Sequence, residues 1–329
     1  MTLRHTLALL TVAGLMLTGC GTTEPAASSG DTPSASAQDA GPVTVTDGRG
    51  KEVTLDAPAT KVVGLEWNVV EHAVSLGVMP VGVADVAGYN AWVSVEPLDD
   101  SVTDVGVRGE PSVEAIGALA PDVILTTTDY PESVARKFEE RGIPVVAVQP
   151  ADAGNNLDQM RENLELVATV TGTEDKAVTV LSDFDAKVEE GSQAIADAGL
   201  TGAPFFMTDG YLDGGQLSIR PYAEGSLLSE TLEAVGIDNA WTKPGDKVYG
   251  LGQTDVEGLT ALPDDVSFFY MTNDVEDDPF TKGLRGNAIW DSFPFVKAGD
   301  VTRLPDGLWM FGGPTSMSAF IDAVVAELT

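Results

Sequence analysis

Hydrophobic and polar positions along this chain change period repeatedly. Val43-Thr-Val-Thr alternates residue by residue, Asp47-Gly48 offers a turn and Val53-Thr-Leu55 returns, which predicts an opening β-hairpin. Short apolar runs at 61–65, 81–83, 123–127 and 145–148 read as further strands. Helical periods lie between them. One starts at Asn68, with cap chemistry at Asn68 and Glu71, and ends near Gly77; others fall near 112–119 and 131–141. Strand and helix in alternation predict an α/β fold.

The middle of the chain departs from this rhythm. Residues 155–171 read as one helix closed by Gly172, and Thr173 then caps a second running to about residue 198. Its Ala177, Val180, Leu181, Phe184, Val188 and Ile195 make one apolar stripe, over a length of roughly 37 Å at 1.5 Å per residue. Such a helix is either a strut between two domains or a surface helix of one large domain. An internal echo favours the strut. Residues 112–123 (SVEAIGALAPDV) and 255–266 (DVEGLTALPDDV) share V-E-x-(I/L)-x-A-L-x-x-D-V, each a short helix leading into a strand. The expectation is two α/β lobes, 43–173 and 199–329, joined by the single long connector helix 174–198, with a ligand cleft between them.

The ends and the composition narrow the setting. Arg4 followed by an apolar run to Leu17 has export-signal architecture and is too short to span a bilayer. Leu17-Thr-Gly-Cys20 resembles a bacterial lipobox, so 1–19 reads as a signal peptide and Cys20 as the lipidated residue; an ordinary secretory signal with an incidental Cys is the alternative. Residues 20–42 are small and polar, a tether that would hold the body on the extracytoplasmic face of the cell membrane. Eighteen Lys and Arg against 51 Asp and Glu give a net charge of −33, which repels phosphate backbones and argues against a nucleic-acid partner. One Cys and two His leave no internal disulfide and no thiolate or His-rich metal site.

Val63-Gly-Leu-Glu-Trp67, Pro80-Val-Gly-Val-Ala-Asp85, Tyr89-Asn-Ala-Trp-Val93, Asp104-Val-Gly-Val-Arg-Gly-Glu-Pro111 and Trp309-Met-Phe-Gly-Gly-Pro314 resemble the iron–siderophore binding proteins of ABC importers, in particular ferric-hydroxamate and ferric-citrate binders. The resemblance implies two lobes on one rigid helix, a ferric siderophore as ligand, a membrane permease as partner, no cofactor and no direct protein ligand to iron. It also implies that Arg108 and Tyr130 contact the oxygen shell around the metal and that Trp92 and Trp309 line the cleft from opposite lobes. Trp241 matches a further family position, with a core role equally open, and Tyr249 stands about where the family has another cleft Trp. Arg220 falls where citrate-type members also carry Arg. A monomer is expected, with Glu114 and Glu257, one per lobe, docking on the permease. Haem or cobalamin is a more distant ligand possibility.

Those residue types suit the task. Arg presents a forked, permanently charged donor to oxygens, and aromatic rings bury rigid apolar surface. For Arg108 the alternative is an ion pair with Glu110 or Asp104. For Glu114 and Glu257 it is a local role in a helix's first turn, with Thr254-Asp-Val-Glu257 readable as a capping box. Trp67, Trp290 and His72 read as packed residues. Asp274, Glu276, Asp277 and Asp278 lack the spacing of a calcium loop. Gly312-Gly313-Pro314 resembles an anion-receiving helix start. No G-x-S-x-G, phosphate loop or H-E-x-x-H occurs, which speaks against an enzyme.

Overall fold

The computed structural model describes residues 41–214, 216–273 and 278–329. The expected signal peptide, Cys20 and nearly all of the tether lie outside these residues, as do Asp274, Glu276 and Asp277.

The expected hairpin is present as β1 (Val43–Thr46) and β2 (Glu52–Leu55), with Val45 opposite Val53. There follow β3 (Val62–Gly64), α1 (Trp67–Ser75), β4 (Gly82–Val83), α2 (Val86–Trp92) and β5 (Thr103–Asp104). A small hairpin of β6 (Gly106–Val107) and β7 (Glu110–Pro111) precedes α3 (Val113–Leu119), β8 (Val123–Thr127), α4 (Glu132–Glu139) and β9 (Val145–Val148). Strands β5-β4-β3-β8-β9 form one parallel sheet in that spatial order. Along β8, Val123 and Leu125 enter a core with Val62, Val146 and Leu164, while Ile124 enters another with Val63, Ile116 and Phe138. Burial on both faces is why these strands read as unbroken apolar runs.

Two helices follow, α5 (Asn156–Thr171), closed by Gly172 in the left-handed conformation at φ 69°, and α6 (Glu174–Asp197). The stripe of α6 is its inner face: Ala177, Phe184 and Ile195 are buried, and Val180, Leu181 and Val188 half-buried. Gly191 belongs to it as well, because a Cβ there would stand 2.7 Å from Ile321 and 3.0 Å from Val235. Only a glycine lets the neighbouring helices pack this close.

The second lobe contains β10 (Pro204–Asp213), β11 (Gln216–Pro221), α7 (Leu227–Ala234), β12 (Asp238–Asn239), a 3₁₀ turn at Glu257–Ala261 and β13 (Ser267–Tyr270). Then come α8 (Pro279–Gly283), α9 (Pro294–Ala298), β14 (Val301–Arg303) and α10 (Pro314–Leu328). Its sheet runs β11-β10-β13-β14, antiparallel at β10–β11 and parallel elsewhere, with β12 beside the start of β10. A continuous apolar core links the lobes, taking Trp67, Val70 and Tyr89 from the first, Phe184 and Ile195 from α6, and Phe205, Phe269 and Phe320 from the second.

Several capping expectations are corrected. Helix α1 begins at Trp67 with Glu66 in the cap position and no side-chain cap; the Asn68 side chain accepts from the next backbone N–H, of Val69, at 2.7 Å. Thr173 precedes α6 without capping it, its hydroxyl lying 2.9 Å from that of Thr171. The Thr254–Glu257 capping box is absent: Asp255 accepts from Gly258 N–H at 3.0 Å, and the element is a 3₁₀ turn. Its echo in the first lobe, α3, is a true α-helix capped by Ser112.

Candidate functional site

Parallel strands of both sheets end on one cleft, as expected for open α/β sheets, whose ligands lie outside the carboxyl ends of the strands. Glu66 and Trp67 follow β3, Thr127 ends β8 with Asp129 just beyond, and Pro150 follows β9. From the other lobe come Asp209 to Leu212 on β10, Arg220 on β11, Met271 and Thr272 after β13, and Trp309 to Phe311 after β14. The cavity measures about 630 Å³, with a contiguous recess of about 210 Å³ that shares Arg108, Arg220, Trp309 and Phe311.

Aromatic rings form its wall. Trp309 meets Trp67 at 4.9 Å between ring centres, Phe311 at 5.3 Å and Trp92 at 6.1 Å, all edge-to-face, and Tyr249 meets Phe311 at 5.2 Å. Arg108, carried on the turn between β6 and β7, lies with its guanidinium 4.2 Å from the centre of the Trp67 ring and 5.6 Å from that of Trp309. Aromatic faces attract cations, so both rings favour the guanidinium at this position. Trp67 is buried in the core, as expected, and also lines the cleft. Its motif was visible in the sequence, but its flanking apolar residues disguised it. Trp290 does pack into the second lobe's core, against Phe268 and Phe295.

Both cleft arginines are ion-paired. Arg108 donates from Nε at 3.0 Å and Nη2 at 2.7 Å to Glu66 Oε2, and neither Glu110 nor Asp104 is its partner. Burial raises the Glu66 carboxyl above its ordinary range, with Arg108 opposing. Arg220 grips both oxygens of Asp209, which also accepts from the Tyr222 hydroxyl. Burial works against the Arg220 charge, yet Asp209 and Tyr222 hold its pKa above the usual value. Tyr249 donates its hydroxyl to Asp129, a bond that crosses from the second lobe to the first. Asp209 was missed from sequence. The available signal was the β10–β11 hairpin, whose register places Asp209 directly opposite Arg220.

Two expected ligand contacts stand elsewhere. The Tyr130 hydroxyl donates to Leu65 O at 2.8 Å and accepts from Gly109 N–H at 2.8 Å, behind the turn that carries Arg108. It is not among the cleft-lining residues, and burial pushes its pKa up to about 12. Trp241 is buried in the second lobe's core beside Phe206, with the Lys243 ammonium 4.9 Å from its ring centre. Trp92, Arg108, Trp309, Arg220 and Tyr249 do meet at the cleft. Glu114 and Glu257 are exposed, away from it.

Two cleft-lining polar atoms, Thr127 Oγ1 and Trp309 Nε1, are buried without a hydrogen-bond partner among the described residues. Beside the cleft, a cavity of about 20 Å³ is lined by His72, Asn68, Asn156 and Asn163. His72 is packed, as expected. Its neighbour Glu71 accepts from Gly313 N–H and Ser316 N–H, each at 2.9 Å, and from the Ser316 hydroxyl at 2.8 Å. The anion-receiving start at Gly312-Gly313-Pro314 is therefore filled by the protein's own Glu71 side chain.

Known proteins share this fold. The profile of the family described as periplasmic binding protein matches residues 62–308. The iron(3+)-hydroxamate-binding protein FhuD of Escherichia coli is 30% identical over 265 residues, 79% of this chain and 84% of that protein. The Fe(3+)-citrate-binding protein YfmC of Bacillus subtilis is 22% identical over 312 residues, 92% of this chain and 89% of its own. The crystal structure of the siderophore binding protein FhuD of Vibrio cholerae, bound to Fe3+–Desferal, superposes with a TM-score of 0.72 at 27% identity. That match covers 82% of this chain and 97% of the other.

Proposed function

The chain belongs to the periplasmic binding protein family, and on that premise we propose that it captures a ferric siderophore, of hydroxamate type first, and delivers it to an ABC permease for iron uptake. The observation that carries this reading is Arg108, stacked on Trp67 and Trp309 at the wall of a cavity of about 630 Å³. A siderophore already fills the coordination sphere of ferric iron. Its host must offer donors to the outer oxygens and apolar surface to the scaffold, and this cleft holds both. The names of the two FhuD relatives supply the ligand class. The family is one of binding proteins rather than enzymes. The iron is cargo, and the reading assigns no resident cofactor.

Ferric citrate is the second reading, favoured by Arg220 in the cleft and by similarity to a citrate binder. Attachment through a lipid on Cys20, outside the cytoplasm, as a monomer, completes the proposal. Glu114 and Glu257 sit exposed on the echoed short helices, where basic residues of a permease can reach them. The test is titration of tryptophan fluorescence with ferrioxamine, ferrichrome, ferric citrate, haem and cobalamin. Ferric hydroxamates should quench Trp67, Trp92 and Trp309, and Arg108→Ala should weaken that response. No quenching by any ferric complex overturns the reading. For docking, Glu114→Ala with Glu257→Ala should abolish uptake while binding persists.

A further inference from the structure

The cleft contains two arginines, yet it is not a positive site. Among the described residues that line the cavity and its recess, the charged groups are Arg108 and Arg220 against Glu66, Asp129 and Asp209. Three carboxylates against two guanidiniums leave the cleft one unit negative, inside a chain whose net charge is −33.

The pairing matters as much as the count. Glu66 takes two donors of Arg108, and Asp209 binds Arg220 through both oxygens. Each guanidinium is thus largely neutralised as a charge while keeping further N–H donors. Such a group can still donate to the weakly negative oxygens of a neutral chelate. It no longer attracts an anion across the cleft, where a low local dielectric strengthens every unbalanced charge. The faces of Trp67, Trp92, Trp309 and Phe311 add an environment that tolerates cations.

We infer that Glu66 and Asp209 are specificity-determining residues that set the cleft to accept neutral or cationic ferric chelates and to reject anionic ones. The inference rests on the siderophore reading and narrows it by charge: it favours a hydroxamate complex, neutral or bearing an ammonium arm, over ferric citrate. A merely bracing role for the two carboxylates predicts something else, a similar loss of affinity for every chelate when either is altered.

The experiment is fluorescence titration of the full protein with neutral ferrichrome, cationic ferrioxamine B and anionic ferric citrate. The unaltered protein should bind both hydroxamates at least about tenfold more tightly than citrate. Glu66→Gln and Asp209→Asn should each shift the citrate-to-ferrichrome affinity ratio toward citrate by about tenfold, ~1.4 kcal/mol. Tyr211 lines the cleft with 54% exposure, so Tyr211→Lys brings the cleft to neutrality without disturbing a buried group and should shift the ratio the same way. Equal binding of ferrichrome and citrate by the unaltered protein overturns the inference, as does an unchanged ratio in folded Glu66→Gln or Tyr211→Lys. Failure to bind any ferric hydroxamate would instead remove the functional reading beneath it.

Discussion

Glu71 and His72 are adjacent on α1, both buried, and perturbed in opposite senses. Burial pushes the Glu71 carboxyl up from 4.5 to about 7, against the lowering effect of its bonds to Ser316 and Gly313. Burial pulls His72 down from 6.5 to about 4. A raised carboxyl contributes stability that is present below its unfolded value, 4.5, and lost as pH rises toward 7. A lowered imidazole contributes stability that is present above 6.5 and lost as pH falls toward 4. Between roughly pH 4.5 and 6.5 the two slopes oppose each other, so this pair should contribute little net pH dependence. His72→Gln should expose the Glu71 slope: stability should fall with rising pH through that window, by up to about 1.4 kcal/mol per unit. Urea midpoints measured across the window would show it, and a pH profile parallel to the unaltered protein would refute the opposition. Neither partner of Glu71 was legible in the sequence, because Gly313 and Ser316 lie 242 and 245 residues away. The helix start at Gly313 was readable as a receptor for an anion, but which side chain fills it is decided only by the packing of α1 against α10.

At the scale of elements, the β6–β7 hairpin shows how a missed role arises. The resemblance marked Tyr130 as a contact to the oxygen shell of the ligand, yet it does not line the cleft. Its hydroxyl bonds to Leu65 O and Gly109 N–H place it behind Arg108, a relation between three segments that no local pattern encodes. Tyr130→Phe should cost about 1 kcal/mol of stability by leaving two backbone groups without their partner, and should weaken siderophore binding by loosening the turn. Loss of affinity with no loss of stability, in parallel denaturation and fluorescence titrations, would mean that the hydroxyl meets ligand directly. Helix α6 offers a second case. Its apolar stripe was readable from period alone, whereas the close approach of α10 and α7 at Gly191 was not, because glycine carries no hydropathy signal. Gly191→Val should destabilise the protein by about 1–3 kcal/mol through overpacking against Ile321 and Val235, read as a lower urea midpoint. The echoed helices were legible as a pair. Their geometry differs, α in one lobe and 3₁₀ in the other, although Ser112 and Asp255 accept from the N–H three residues on in the same way.

For the whole molecule, the question is whether two lobes behave as one cooperative unit. Proteins built of separate domains commonly unfold in steps. Here one apolar cluster takes Trp67, Val70 and Tyr89 from the first lobe, Phe184 and Ile195 from α6, and Phe205, Phe269 and Phe320 from the second. Polar ties reinforce it. Besides Glu71 at α10, Ser94 N–H donates to Gly307 O at 3.0 Å and Asn156 Nδ2 to Gly225 O at 2.6 Å. Exposing either lobe's share of this cluster would strip apolar contact from the other, so a half-unfolded state loses the stabilisation of both. The two lobes should therefore unfold together. Trp92, at the cleft edge of the first lobe against Trp309, and Trp290, in the core of the second, can serve as reporters. With the remaining tryptophans replaced by Phe, a variant keeping only Trp92 and another keeping only Trp290 should each give a urea transition by fluorescence that coincides with its own far-ultraviolet circular dichroism. A fluorescence midpoint that precedes the loss of secondary structure in one variant and follows it in the other would show that the lobes melt independently. The shared core would then be a contact surface between two domains rather than the centre of one.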